Sequence, residues 1–192
     1  TVDGAGNLIV TDSGNHTLRN MTPVGAVSTF AGLAGGVGSD NGVRLDAQFR
    51  YPTGVALDGA GNLYVADTNN HLIRMVSASG VVSTSAGSLL TAGSSDGNGG
   101  AARFRYPSSV ALDGSGNVYV ADSGNHLVRK MTGTGDVSTL AGTALVGGSL
   151  DGTGLAASFN SPCGLAVDFG GNVYVADTGS QLIRKITSAG VV

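Results

Sequence analysis

GNLYVADTNNHLIR, residues 61–74, decides the fold because the chain writes it four times. Its copies are GNLIVTDSGNHTLR from Gly6, GNVYVADSGNHLVR from Gly116 and GNVYVADTGSQLIR from Gly171. Asn7, Asn62, Asn117 and Asn172 stand 55 residues apart, as do Asp12, Asp67, Asp122 and Asp177, and Arg19, Arg74, Arg129 and Arg184. A fixed period of this length marks a tandem array in which neighbouring units share a core. The chain therefore reads as a single repeat domain over residues 1–192.

Within the second unit, Pro52 opens a strand that runs through Val55 and Leu57, a position where proline need not donate to a ladder. DGAGN at 58–62 is a tight turn, supplying the positive φ angles that Gly, Asn and Asp adopt readily. LYVAD at 63–67 and HLIRMV at 71–76 are β-branched or alternating segments separated by a second turn, and VVSTSAG at 81–87 is a fourth, outer strand. Four short antiparallel strands per repeat describe a propeller blade. A β-solenoid is the rival, but its coils pair in parallel, whereas these short turns join antiparallel neighbours. The expected fold class is all-β: a β-propeller with about four blades, at approximately 1–32, 52–87, 107–142 and 162–192, the first and last incomplete.

The outer strand leads into an unusually long connection at 33–51, 88–106 and 143–161. Each copy holds a Gly-rich half, an Asp-Gly or Asn-Gly, and Ala-x-Phe before the next inner strand. Phe49, Phe104 and Phe159 are expected to plug the crevices between blades, with AARF or its equivalent forming one helical turn.

Composition narrows function by exclusion. Charged residues are 12% and glycines number 33, a turn-rich balance, while the 41% hydrophobic share is enough for a core. The net charge of −3, with basic residues scattered among the repeats, gives no stripe for phosphate neutralisation, so nucleic acid is not an expected partner. No run reaches the length of a membrane span, and TVDGAGN shows no secretion signal, so the natural start is expected to be missing. Cys163, the single cysteine, reads as a small buried residue.

The VYVADTGNHLIRK-type core with a preceding Pro-x-Gly-Val-Ala-x-Asp resembles NHL-repeat β-propellers. Asn15-His16, Asn70-His71 and Asn125-His126, each followed by Arg19, Arg74 or Arg129, carry the resemblance, and Ser180-Gln181 departs from it. The resemblance implies four-stranded blades, commonly six to a closed ring. It implies no single function, since similar propellers bind proteins or RNA, act as sensors or serve as lyases.

The repetition argues against chemistry at the motif itself. His16, His71 and His126 occupy the same place in three blades, too far apart to converge on an ion, and read as hydrogen-bonding residues. Asp12 with Arg19, Asp67 with Arg74, Asp122 with Arg129 and Asp177 with Arg184 read as charge-assisted pairs that pin each blade. The loops at Asp96 and Asp151 resemble calcium loops but offer too few oxygens, and Asn41 stands in the first copy, so their acids read as turn caps. Neither a metal site nor a cofactor is expected.

Positions where the repeats disagree are the better functional signal. They fall in the long connections: Arg44, Asp46, Gln48, Arg50 and Tyr51, then Arg103, Arg105 and Tyr106, then Asn160. If these links all emerge on one face, that face is the expected contact surface for a protein or a small polar ligand. The expected function is a non-catalytic binding scaffold, from a secreted or surface protein. The alternatives are a propeller enzyme with its metal or catalytic groups in further blades, and a self-assembling protein whose open blade edges join copies into a ring.

Overall fold

The structure, a computed structural model, describes residues 1–192. Four antiparallel sheets follow one another along the chain. The second places Pro52–Leu57 innermost, followed outward by Leu63–Asp67, Leu72–Val76 and Val81–Gly87. The third repeats this with Pro107–Leu112, Val118–Asp122, Leu127–Met131 and Asp136–Ala141. The first holds Leu8–Asp12, Thr17–Met21 and Val27–Ala31, and the fourth Pro162–Val167, Val173–Asp177 and Leu182–Ile186.

The inner strands meet at the centre. Thr11 donates its hydroxyl proton to the Thr53 carbonyl at 2.8 Å, and Thr53 donates to the Ser108 carbonyl at 2.7 Å. The sheets thus radiate as the blades of an all-β propeller. Each innermost hairpin turns on an aspartate: Asp58 Oδ1 accepts the N–H groups of Ala60 and Asn62 at 2.9 and 2.8 Å. Gly61 follows at φ +86°, where a side chain would be strained.

The blades are not limited to the four strands of the repeat. Gly42–Val43 pairs with Val82 and Val81, and Gly97–Asn98 pairs with Val137 and Asp136, each adding a fifth strand at the outer edge. Thr153 bridges Val191 in the same way. The added residues come from the connection that precedes the blade. An outer strand leaves a row of N–H and C=O groups unpaired, and the connection supplies their partners. The helical turn expected at AARF lies earlier, as a single 3-10 turn at Arg44–Asp46, Gly99–Ala101 and Gly154–Ala156. It ends before Ala47, Ala102 and Ala157, which are already extended.

The core is distributed between blades. Phe49 is fully buried with Ile9, Leu18 and Ala31 of the first blade and Leu63, Val65, Val76 and Val82 of the second. Phe104 occupies the equivalent place between the second and third blades, with Ile73, Ala86, Val118 and Val120. Phe159 joins the third to the fourth, with Val128, Ala141, Val173 and Val175. Each ring comes from the connection and fills the space between two adjacent sheets. Phe104→Ala is expected to lower stability by about 3–5 kcal/mol, because a buried ring has no neighbour able to collapse into its place. Urea denaturation followed by circular dichroism measures it.

Candidate functional site at the blade junctions

A single structural device recurs at each junction. Arg74, on the third strand of its blade, is fully buried and reaches the connection that enters that blade. Its guanidinium donates to Asp67 Oδ2 at 3.0 Å, to the Gln48 carbonyl at 3.0 Å, to the Asp40 carbonyl at 3.2 Å and to Asn41 Oδ1 at 2.8 Å. Arg129 makes the same set with Asp122, Arg103, Ser95 and Asp96. Arg184 does so with Asp177, Ser158, Leu150 and Asp151. The three guanidinium groups lie 5.3–5.4 Å from the centres of the Phe49, Phe104 and Phe159 rings. Asp96 and Asp151 are therefore arginine partners rather than turn caps.

Electrostatics follow from this burial. Burial raises the Asp67 carboxyl, against the Arg50 N–H, Asn70 and Arg74, which favour its charged form. Asp122 is pushed up to about 6 by the same cause, against Arg105, Asn125 and Arg129. The Asp12–Arg19 pair expected in the first unit does not form. Asp12 holds Asn15 at 2.9 Å, and Arg19 reaches the Thr29 hydroxyl at 3.1 Å. Three of the four acceptors that fix Arg74 come from the connection at 33–51.

The histidines complete each junction. His16 Nδ1 accepts the Tyr51 N–H at 3.1 Å, His71 Nδ1 that of Tyr106 at 3.1 Å, and His126 Nδ1 that of Ser161 at 2.9 Å. An imidazole of the preceding blade thus holds the connection just before it enters the next. No group of three or more His, Cys, Asp or Glu side chains comes together in a way that could hold a metal ion.

The residue before each capped N–H is held too. Arg50, Arg105 and Asn160 donate their N–H to Asp67, Asp122 and Asp177 at 2.7, 2.7 and 2.6 Å. Between the two anchors, Tyr51, Tyr106 and Ser161 adopt φ of 56°, 48° and 50°. Such angles cost a non-glycine residue of order 1–3 kcal/mol and persist only where the surroundings enforce them. The enforced backbone turns Tyr51 and Tyr106 outward, 46% and 51% exposed, with Arg50 and Arg105 beside them. Tyr106 also stands edge-on to the His71 ring, their centres 4.6 Å apart.

The nine candidate residues do not share one face. Arg50, Tyr51, Arg105, Tyr106 and Asn160 lie where connections meet the 3-10 turns after the second strands, as the Asn69, Gly124 and Gly179 N–H groups bonded to the carbonyls of Arg50, Arg105 and Asn160 show. Arg44 and Asp46 lie on the outer flank toward the opposite end of the blades. There Arg44 N–H meets the Gly80 carbonyl at 2.9 Å, and its guanidinium stacks on Phe30 at 4.5 Å. The connection crosses one face, descends the outer edge to supply its fifth strand and then returns. Gln48 and Arg103 are spent within it: Gln48 sits against Gly38, and Arg103 donates to the carbonyls of Gly100 and Ala102 at 2.5 and 2.8 Å.

Cys163 is exposed rather than buried, accepting the Thr178 hydroxyl at 2.7 Å. It occupies the inner-strand position of Thr53 and Ser108, where side chains line the centre rather than a packed crevice. The sequence-level reading also missed the roles of Asn41, Asp96 and Asp151. Their common 55-residue spacing was the available signal.

Comparison with known proteins agrees with this architecture. The family model described as NHL repeat matches residues 49–74, 104–131 and 159–186. NHL repeat-containing protein 2 of Bos taurus is 32% identical over 191 residues, covering 93% of this chain, and its human counterpart is 32% identical over 189. The chain spans about a quarter of the length of these relatives, 26% of each. A Bacteroides thetaiotaomicron structural genomics protein of unknown function superposes with a TM-score of 0.77 at 26% identity, over 93% of this chain and 44% of that one. With three matched repeats, each carrying the same buried arginine and phenylalanine, the chain belongs to the NHL-repeat family of β-propellers.

Proposed function

We propose that the chain is a non-catalytic scaffold that binds a protein partner through the face carrying Arg50–Tyr51 and Arg105–Tyr106. One observation carries the reading: exposed Tyr and Arg side chains stand on backbone pinned at two consecutive N–H groups by buried or half-buried acceptors of two different blades. Large side chains on pre-ordered backbone lose little entropy on binding, and Tyr and Arg dominate interface energetics. Arg50 and Arg105 both act on His71, so the surface between them is positive and suits carboxylate-bearing segments.

The test is selection of peptides from a displayed library against the chain, followed by titration. Selected peptides are expected to be acidic and to lose about tenfold or more in affinity for the variant R50A/Y51A/R105A/Y106A, a change of about 1.4 kcal/mol. Equal binding by the variant sinks the proposal.

The same surface is pH-dependent. Burial, then the charges of Arg105 and Arg50, hold His71 below its ordinary 6.5, against the Thr68 backbone contact. The neutral ring is the form that accepts the Tyr106 N–H. Between the lowered folded value and 6.5 the unfolded chain binds more protons, so the contribution of His71 is complete above 6.5 and is lost as pH falls through the folded value. Thermal melts from pH 8 to 5 are expected to fall less steeply for His71→Gln, the residue that Gln181 already places at the equivalent turn.

A further inference from the structure

The three crevices between blades are built from equivalent positions, yet they are filled differently at the outer rim. Between the first and second blades, Phe30 and the stacked guanidinium of Arg44 occupy the space. The fit is close enough that a Cβ placed on Gly80 would meet Arg44 Nε at 2.4 Å. Between the third and fourth, Leu140 packs into the core cluster and Lys130 lies over the Tyr119 ring, 5.6 Å from its centre.

Between the second and third blades every one of these fillers is gone. Ser85 stands where Phe30 and Leu140 do, Gly99 where Arg44 does, and Met75 where Lys130 does. At Gly135, the counterpart of Gly80, a Cβ would meet nothing nearer than 3.8 Å. The result is an open cavity of about 250 Å³ on the flank opposite the Arg/Tyr face.

Its chemistry is that of a neutral, hydroxyl-rich ligand. Tyr64 and Met75 form the apolar wall and Ser83 and Ser85 the polar one, beside the turn at Thr132–Gly135, where the Thr132 and Thr134 hydroxyls lie 2.8 Å apart and Thr134 donates to Asp136 Oδ2 at 2.9 Å. No charged side chain lines it. Ser83 and Ser85 stand two residues apart on the outer strand, so their side chains share the face that lines the cavity, and neither hydroxyl is spent on another side chain. Hydroxyls act as both donors and acceptors, which matches the alternating demands of a polyol, and an aromatic ring free of a covering lysine offers a flat face for the C–H side of a sugar. We infer that the crevice between the second and third blades is a binding site for a monosaccharide-sized neutral polyol.

The test is a titration of the isotopically labelled 192-residue chain with methyl β-glucoside, methyl β-galactoside and methyl α-mannoside, followed by amide NMR shifts. At least one glycoside is expected to give saturable shifts at Thr84, Ser85 and residues 132–135 with Kd near about 1 mM, typical of a small site with few polar contacts. The variant S85F/G99R copies the filling of the neighbouring crevice. Arg44 already adopts positive φ there, so the variant is expected to keep the wild-type melting temperature and lose the shifts. Met75→Lys, which copies the third blade, is expected to weaken binding about tenfold, and it stands as the test should S85F/G99R not fold. Absence of saturable shifts with all three glycosides, shifts that map elsewhere, or shifts unchanged in the variants overturn the inference.

Discussion

A fully buried arginine without partners would carry a desolvation cost of several kcal/mol, and the architecture is arranged around preventing that. Arg74 and Arg129 are each enclosed by one carboxylate of their own blade and by carbonyl and side-chain oxygens of the entering connection. That set of acceptors fixes the course of a long segment with almost no regular structure. Arg19 sits in the same sequence motif but donates to the Thr29 hydroxyl, while Asp12 accepts from Asn15.

Once the connection is fixed, other features follow from it. It carries Phe49, Phe104 or Phe159 into the crevice, lays a short fifth strand along the outer edge and returns to the face of the second-strand turns. There an aspartate and a histidine from two blades hold consecutive N–H groups, sustaining left-handed tyrosines that would otherwise relax. The conspicuous motif residues are thus spent on structure. Their repetition is a consequence, since the same crevice needs the same parts each time.

Variation between repeats marks what the fold does not require. Arg50–Tyr51 and Arg105–Tyr106 give way to Asn160–Ser161 while the backbone stays in the same left-handed conformation. At the outer rim, Phe30–Arg44 gives way to Ser85–Gly99 with the crevice left open. In both places a constant frame supports exchangeable side chains, which is how one propeller scaffold serves many ligands.

The repeat period, the antiparallel blades, the Phe plugs and the Asp/Arg pairing of the later units were legible in the sequence. Strand alternation, turn chemistry and recurrence are local or periodic properties that side-chain type controls directly. The split of the nine candidate residues between two regions, the fifth strand, the exposure of Cys163 and the open crevice beside Ser85 and Gly99 were decided only by tertiary structure. Each depends on the path of a connection between blades and on which neighbour reaches a given space. Arg44 could not be assigned to the outer flank from its number alone, because its place there is set by Gly80 and Phe30, residues 36 and 14 positions away in two different blades.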